Sequence, residues 1–271
     1  MAPRVAFFLI LSGSRSGSTW LASMVNALPD VRTDYEFQWY DGPLTHMHVS
    51  MKQPNFDVRA TLLRIVGVGH IFGSKLTVPG TQRLSGDDFM KLSFLITPDI
   101  KLVHLSRNYL DCFLSGLRDA GHLRNPEGLQ APPHLGVQMK TEVTTDAATL
   151  KPGRLDLDMV KNELSIRFAN DLLLTSFAQR GKSYMAVDYS AVENRFGEVA
   201  RHIGSEATDD QIAEIVRRPA TKKLPEVDYG KVFENFDDVR RLGETFEARR
   251  KALIGSAIQT GRILAAPQNV G

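Results

Sequence analysis

The sequence predicts an α/β protein of three layers, with a central parallel sheet of about five strands and helices on both faces. Short, continuous apolar runs alternate along the chain with longer segments whose apolar residues recur at helical spacing. The apolar runs lack polar alternation, which is typical of strands covered on both faces of a parallel sheet. The 271 residues are 42% hydrophobic and 24% charged, so the chain can bury a large core without disulfides.

The first unit is a strand, a small-residue loop and a helix. Val5–Leu11 (VAFFLIL) is a buried strand by its composition, and SGSRSGST follows it. Helical apolar spacing then predicts a helix over Trp20–Leu28, which Pro29 ends. The same two patterns and the turn signals between them predict the next elements, in order: an extended segment at Val31–Trp39, a helix at Phe56–Val68, a strand at His70–Val78 and a helix at Asp87–Ile96.

The second half repeats the alternation. Ile100–Leu105 (IKLVHL) is a strand, SRN follows it, and Tyr109–Leu117 is a helix. Residues 119–155 are rich in Pro, Gly, His and Thr without a sustained period, so we expect a long mobile loop or lid there. Apolar spacing predicts the remaining elements: a helix at Asp156–Gln179, a strand at Ser183–Val187, and helices at Val192–Ile203, Asp209–Val216 and Val239–Ile254. No linker or repeat divides the chain, so we expect a single domain over residues 1–271.

Composition limits the function classes. A net charge of +2 argues against general nucleic-acid binding, which needs a basic face. No apolar stretch approaches the roughly 18–20 residues of a membrane span, and the seven-residue run Val5–Leu11 fits a strand better than a targeting signal. We therefore expect a cytoplasmic protein. The single cysteine, Cys112, excludes an internal disulfide and a Cys-based zinc site, and it fits a small apolar position on a helix.

The loop after the first strand has the composition of an anion site. Its backbone N–H groups and the following helix N-terminus favour an anion, and Gly13 and Gly17 let the backbone approach a ligand closely. Arg15 adds a fixed positive charge, and hydroxyls come from Ser16, Ser18 and Thr19. The loop lacks both the Gly-Lys-Ser/Thr end of NTPase loops and the Gly-x-Gly-x-x-Gly fingerprint, so neither magnesium nor a nicotinamide cofactor is indicated. A plain turn with a helix cap is the alternative interpretation.

A second loop repeats the pattern after another strand. In IKLVHLSRNYLDCFLSGL, Arg107 follows the strand and Ser115 comes eight residues later on the helix. Together the two loops resemble those of the sulfotransferases that use 3′-phosphoadenosine-5′-phosphosulfate (PAPS). The positions that carry the resemblance are Arg15-Ser16-Gly17-Ser18-Thr19-Trp20 in the first loop and Arg107, Asn108, Asp111 and Ser115 in the second. Tyr109 stands where the family often has Pro.

The resemblance implies a P-loop-type fold, PAPS as donor, 3′-phosphoadenosine-5′-phosphate (PAP) as product, and no metal. It implies that residues 15–20 hold the 5′-phosphosulfate and that Arg107 and Ser115 hold the 3′-phosphate. Trp20 is either an adenine-stacking or a core residue. The resemblance further implies donor contacts from a strand lysine, Lys75, and from Tyr189, Lys222 and Lys223.

The bacterial carbohydrate branch, similar to the trehalose sulfotransferases, resembles this chain more closely. That branch carries a catalytic Glu in a Glu-Phe-Phe-Gln-Tyr-like segment after the first helix, and Glu36 in YEFQWY holds this position. Cytosolic members instead use a His two residues after the strand lysine, where this chain has Thr77. Glu36 is therefore the candidate base, with Arg15 and Lys75 as catalytic cations. The rival bases are His46, His48 and His70.

The resemblance thus predicts transfer of a sulfuryl group to a hydroxyl of a carbohydrate or other small molecule. A nucleotide-dependent phosphotransferase and a non-catalytic nucleotide-binding module are the alternatives. Neither the acceptor nor the oligomeric state follows from the sequence.

Overall fold

A computed structural model describes residues 6–34, 71–78, 83, 100–119, 153–180, 182–218 and 228–265. The predicted helices at Phe56–Val68 and Asp87–Ile96 lie outside these residues, as does most of the 119–155 segment.

Five parallel strands form the central sheet. They are β1 (Ala6–Gly13), β2 (Val31–Asp34), β3 (Ile71–Val78), β4 (Ile100–Ser106) and β5 (Tyr184–Asp188). The order across the sheet is β2-β3-β1-β4-β5, so β1 lies in the middle. In open sheets of this kind ligands bind beyond the carboxyl ends of the strands, where the order reverses. The carboxyl end of β1 is such a place, since the chain continues to one side of β1 first and to the other side later.

The α-helices of the described residues follow the predicted order, but the last one is much longer than the predicted Val239–Ile254, since it spans Phe236–Ala265. They are α1 (Ser18–Asn26), α2 (Tyr109–Asp119), α3 (Leu157–Gln179), α4 (Val192–Ile203), α5 (Asp209–Arg217) and α6 (Phe236–Ala265). The prediction of Trp20–Leu28 for the first helix was wrong by two residues at each end. The helix begins earlier because the Gly17 carbonyl already accepts from the Leu21 N–H, and turns bonded to Met24 and Val25 close it. None of these helices is long and apolar enough to cross a membrane.

Helices cover both faces of the sheet. On one face α1 and α4 bury Leu21, Met24 and Phe196 against Phe8 and Ile10 of β1. On the other face α3 and α6 bury Phe177 and Ile254 against the alternate residues of the strands, which include Phe7, Leu11 and Leu102. The predicted three-layer α/β architecture, with a parallel sheet of about five strands and helices on both faces, is confirmed over the described residues.

Side-chain caps fix where two helices beside the sheet edge begin. Asn108 Oδ1 accepts from the backbone N–H groups of Leu110 and Asp111, so Asn108 is the N-cap of α2. Asp156 caps α3 in the same way. The end of the 119–155 segment is held as well, because Leu155 exchanges two hydrogen bonds with the Asn235 side chain. Asn108 and Asp156 thus fix the first residues of α2 and α3.

Candidate functional site

The loop between β1 and α1 lies at the carboxyl edge of the sheet, between β3 and β4. Its backbone is unusual at two positions, since Arg15 has a φ of 65° and Gly17 a φ of 90°. Only Gly adopts such angles without steric cost, so Arg15 is held in a conformation that side chains disfavour. The Ser14 N–H donates to the Val78 carbonyl at 2.7 Å, which ties the loop to the end of β3.

Lys75 lies beneath this loop and not on the surface. It pairs in register with Ile10 of β1, and its side chain is 6% exposed. Its Nζ donates to Thr19 Oγ1 over 2.8 Å. A buried ammonium therefore lies beside the N-terminal turn of α1, where unpaired N–H groups also favour negative charge.

Three of the predicted residues, Arg15, Arg107 and Ser115, come together on the side of the loop that faces β4 and α2. Arg15 Nε donates to Ser115 Oγ on α2 at 3.4 Å. Arg107 Nη1 donates to the Arg15 carbonyl at 3.3 Å. The Arg15 guanidinium thus contacts the Ser115 hydroxyl, and the Arg107 guanidinium contacts the backbone of the same loop. Donors and positive charge of this kind suit a phosphate.

Tyr189 closes the site from β5. Its ring lies 4.5 Å from the Arg107 guanidinium carbon and packs edge-on against Trp20, with ring centroids 5.4 Å apart. A Cβ built on Gly17 would lie 2.3 Å from this ring, so only glycine fits there. Trp20 is 5% exposed, which makes it a core residue whose edge meets the site.

A small cavity lies against the first loop at Gly13 and Ser16 and against Arg107 after β4. Two buried polar atoms at it, Ser16 Oγ and Arg107 Nε, have no hydrogen-bond partner among the described residues. Leaving such atoms unpaired costs free energy, so a ligand with acceptor oxygens would be favoured here. Donors and positive charge line part of the cavity, at Gly13, Ser16, Arg107, Arg167 and Asn170. The rest of its lining is the Asp171 carboxylate, the hydroxyl-bearing Ser106 and Tyr109, and Val78, Leu105 and Cys112.

Behind the cavity lies a buried polar network that the sequence analysis missed. Asp171 of α3 accepts from Ser106 at 2.7 Å and from Tyr109 at 2.9 Å, and it lies 3.1 Å from His104 Nε2. Burial alone would raise the pKa of Asp171, but His104, Ser106 and Tyr109 together lower it below its usual range. Asp171 is therefore a buried carboxylate held ionised by its partners.

Two buried arginines lie near this network, and Arg250 joins it. Arg167 of α3 donates to the Ser14 carbonyl at 2.8 Å, and Arg250 of α6 donates to Ser106 Oγ at 3.2 Å and to Asp188 at 2.6 Å. The sequence carries a signal for Arg167 and Asp171. Arg167 and Asp171 interrupt the apolar stripe of α3 at helical spacing between Leu164 and Leu174, both fully buried.

Cys112 is a structural residue. It is 3% exposed, and burial raises the pKa of its thiol to about 11, so it is a protonated thiol at neutral pH. The expectation of a small apolar residue on a helix is confirmed.

The remaining candidates fall outside the described residues: Glu36, His46, His48, His70, Lys222 and Lys223. The described strand β2 ends at Asp34, beside Ser74 and one residue before Lys75 in register. Within the described part of the chain, no group of three His, Cys, Asp or Glu residues could hold a metal ion.

No protein-family model matches the chain. No curated protein matches it either. Among solved structures, the chain is similar to a sulfotransferase from Alicyclobacillus acidocaldarius, with 13% identity, a TM-score of 0.48, and coverage of 94% of this chain and 96% of that one. It is also similar to a mouse sulfotransferase complexed with PAP, with 13% identity, a TM-score of 0.44, and coverage of 82% of this chain and 68% of that one. A third similar structure is the sulfotransferase domain of the Synechococcus olefin synthase, with 13% identity, a TM-score of 0.40, and coverage of 91% of this chain and 95% of that one. At this identity the similarity concerns the fold alone.

Proposed function

We propose that this protein is a sulfotransferase that moves a sulfuryl group from PAPS to a hydroxyl of a carbohydrate or other small molecule. The observation that carries the proposal is the convergence of Arg15, Arg107 and Ser115 at the carboxyl edge of the sheet, with Arg107 Nη1 on the Arg15 carbonyl and Arg15 Nε on Ser115. These residues belong to the two motifs whose order and spacing resemble the PAPS-dependent family.

The donor would be held at its 5′-phosphosulfate, at its 3′-phosphate and at its adenine ring. Residues 15–19 offer backbone N–H groups and hydroxyls to the 5′ side, and Arg107 and Ser115 offer a guanidinium and a hydroxyl to the 3′-phosphate. Tyr189 and the edge of Trp20 supply aromatic surface for adenine. Lys222 and Lys223 are proposed as further phosphate contacts.

The chemistry needs a base on one side of the sulfur and positive charge on the other. The acceptor oxygen forms a bond to sulfur while the bond from sulfur to the bridging oxygen breaks, and PAP leaves with the bonding electrons. Glu36 is the proposed base that takes the acceptor proton. Negative charge grows on the bridging oxygen, and we propose that Lys75 and Arg15 are the cations that stabilise it. The contact of Lys75 with Thr19 of the same loop supports its part in this. Arginine does not give up a proton at neutral pH, so Arg15 acts through its charge.

Calorimetry with PAP tests the donor site. We expect the wild type to bind PAP and Arg107→Ala to bind it roughly ten- to a hundred-fold more weakly, because a charge-assisted contact to phosphate contributes about 1.5–3 kcal/mol. Arg240→Ala is the control, since Arg240 lies exposed on α6 and pairs with Asp237. Equal affinity of Arg107→Ala and wild type would contradict the assignment of Arg107.

A transfer assay with PAPS and a panel of hydroxyl acceptors tests the activity, with the added mass of the sulfuryl group as the readout. We expect transfer to be independent of added Mg²⁺, because Arg15 and Lys75 supply the positive charge. Activity lost with EDTA and restored by Mg²⁺ would favour the phosphotransferase alternative. PAP binding without transfer to any acceptor would favour the non-catalytic module.

A further inference from the structure

Three buried charged residues lie behind the site, Arg167 and Asp171 on α3 and Arg250 on α6. Each of them binds a residue next to a proposed donor-binding residue. Arg167 binds Ser14, which precedes Arg15. Asp171 binds Ser106 and Tyr109, on either side of Arg107 and Asn108. Arg250 binds Ser106 and also Asp188, which precedes Tyr189.

We propose that Arg167, Asp171 and Arg250 are positioning residues, which hold the three loops after β1, β4 and β5 in the geometry that binds the donor. The inference rests on the proposed function for the identity of the ligand, but the positioning itself is a property of the protein without ligand.

Burial argues that these contacts are rigid. The side chains of Arg167 and Arg250 are 5% and 2% exposed, so water competes little for their hydrogen bonds. Each guanidinium is also fastened to its own helix, Arg167 by Glu163 and Arg250 by Glu247. Each arginine therefore links a rigid helix to a loop, and the loop cannot shift without breaking a charge-assisted hydrogen bond.

Loop strain argues that positioning is needed. Arg15 adopts a φ of 65°, which an isolated loop would avoid. The Arg167 guanidinium holds the carbonyl immediately before it, and Arg107 holds the carbonyl of Arg15 itself. Removing Arg167 should let the peptide at residue 15 relax, which would turn the Arg15 side chain away from Ser115.

Arg195 supplies a matched control. Like Arg167, it donates from Nη1 to a backbone carbonyl, here Ala186 of β5 at 3.1 Å. It also donates from Nε and Nη2 to one oxygen of a carboxylate on its own helix, that of Glu198. It therefore makes the same set of hydrogen bonds on the opposite face of the sheet, at a carbonyl that does not adjoin a proposed donor-binding residue.

The first experiment measures PAP affinity by calorimetry for Arg167→Met, Arg250→Met and Arg195→Met. We expect the dissociation constant to rise about tenfold or more for the first two variants, with a stoichiometry equal to that of the wild type, and to stay within about twofold for Arg195→Met. A general loss of folded protein would lower the stoichiometry and leave the dissociation constant unchanged, and that result would overturn the proposal. Equal effects of the Arg167 and Arg195 variants would also overturn it.

The second experiment needs no ligand. Hydrogen exchange of the segment 12–21 in the free protein should be faster in Arg167→Met than in the wild type, and unchanged in Arg195→Met. Unchanged exchange in Arg167→Met overturns the proposal, whether or not PAP binds. Faster exchange in a protein that does not bind PAP supports the positioning and rejects the proposed function. If Arg167→Met does not fold, Arg167→Lys and Arg195→Lys replace the pair, because lysine keeps the charge but cannot bind the helix carboxylate and the carbonyl as a fork.

Discussion

At the scale of single residues, the site depends on one backbone position that only glycine satisfies. Gly17 has a positive φ, and its missing Cβ leaves the space that the Tyr189 ring occupies. The same ring packs on the Arg107 guanidinium. The conformation of the first loop and the position of Tyr189 therefore both depend on Gly17 having no side chain.

Gly17→Ala should damage donor binding and stability together. The left-handed conformation costs an alanine about 1–3 kcal/mol, and the new methyl group pushes Tyr189 away from Arg107. We expect PAP affinity, measured by calorimetry, to fall at least about tenfold, and the free energy of unfolding, measured with urea, to fall by at least about 1 kcal/mol. Gly13→Ala is the control for stability, because Gly13 has an ordinary φ and an added Cβ meets no atom within 4 Å. Equal stability losses in the two variants would contradict this role of Gly17.

Glu36→Gln tests the base. The change keeps the shape of the side chain and removes its basicity, so we expect turnover to fall by about 10²–10⁴-fold. PAP affinity should change little, because the proposed base faces the acceptor. Asp34→Asn is the matched control on the same segment. Near-normal turnover of Glu36→Gln, together with loss of turnover in His46→Ala, His48→Ala or His70→Ala, would assign the base to a histidine.

At the scale of secondary structure elements, β3 carries a glycine at the register position where the Phe8 ring of β1 needs the space. Gly73 pairs with Phe8, and a Cβ on Gly73 would lie 2.3 Å from two atoms of the Phe8 ring. Phe8 is 1% exposed and lies in a close-packed core, so its ring has little room to move. The missing Cβ of Gly73 therefore leaves the space for this ring, on the strand that also carries Lys75.

Gly73→Ala should therefore destabilise the fold by about 1–3 kcal/mol through overpacking. The double variant Phe8→Leu/Gly73→Ala should lose less than the two single variants together, since the smaller side chain makes room for the methyl group. Urea unfolding of the four proteins gives the coupling energy. Gly255→Ala on α6 is the control, because its Cβ meets no atom within 4 Å, and alanine favours a helix. Strict additivity in the double-mutant cycle would argue against this contact as the cause.

The elements show what the sequence could and could not predict. Apolar runs located β1 and β4, because helices cover both faces of the sheet there and these two strands are mostly apolar. The polar residues of the two loops could be recognised because they directly follow strands. Arg167, Asp171 and Arg250 could not be assigned in this way, since they lie far along the chain on helices. Which loop each of these side chains contacts depends on how the helices pack against the ends of the strands, and the sequence pattern of a helix does not specify that packing. The approach of Arg15 to Ser115 depends likewise on a positive φ that no sequence pattern predicts.

At the scale of the whole molecule, one histidine links the stability of the fold to pH. His202 near the end of α4 reaches across to β4, where its Nε2 lies 3.0 Å from the Leu102 carbonyl. Burial, assisted by the charge of Lys101, lowers the pKa of His202 from 6.5 to about 4. The folded protein thus keeps this imidazole neutral at a pH where the unfolded chain protonates it.

The sign of the effect follows from this difference. Between pH 6.5 and about 4 the unfolded state binds one more proton at His202 than the folded state, so stability falls as the pH falls through that window. A shift of this size corresponds to about 3 kcal/mol at the acid end.

His202→Gln keeps a donor for the Leu102 carbonyl and does not titrate. We expect urea unfolding to give similar stabilities for the two proteins at pH 7, within about 1 kcal/mol. Towards pH 4 the wild type should lose about 3 kcal/mol more than the variant. Carboxylates that titrate in the same range act on both proteins and cancel in the comparison, so parallel stability curves from pH 7 to pH 4 would show that His202 is not the group responsible.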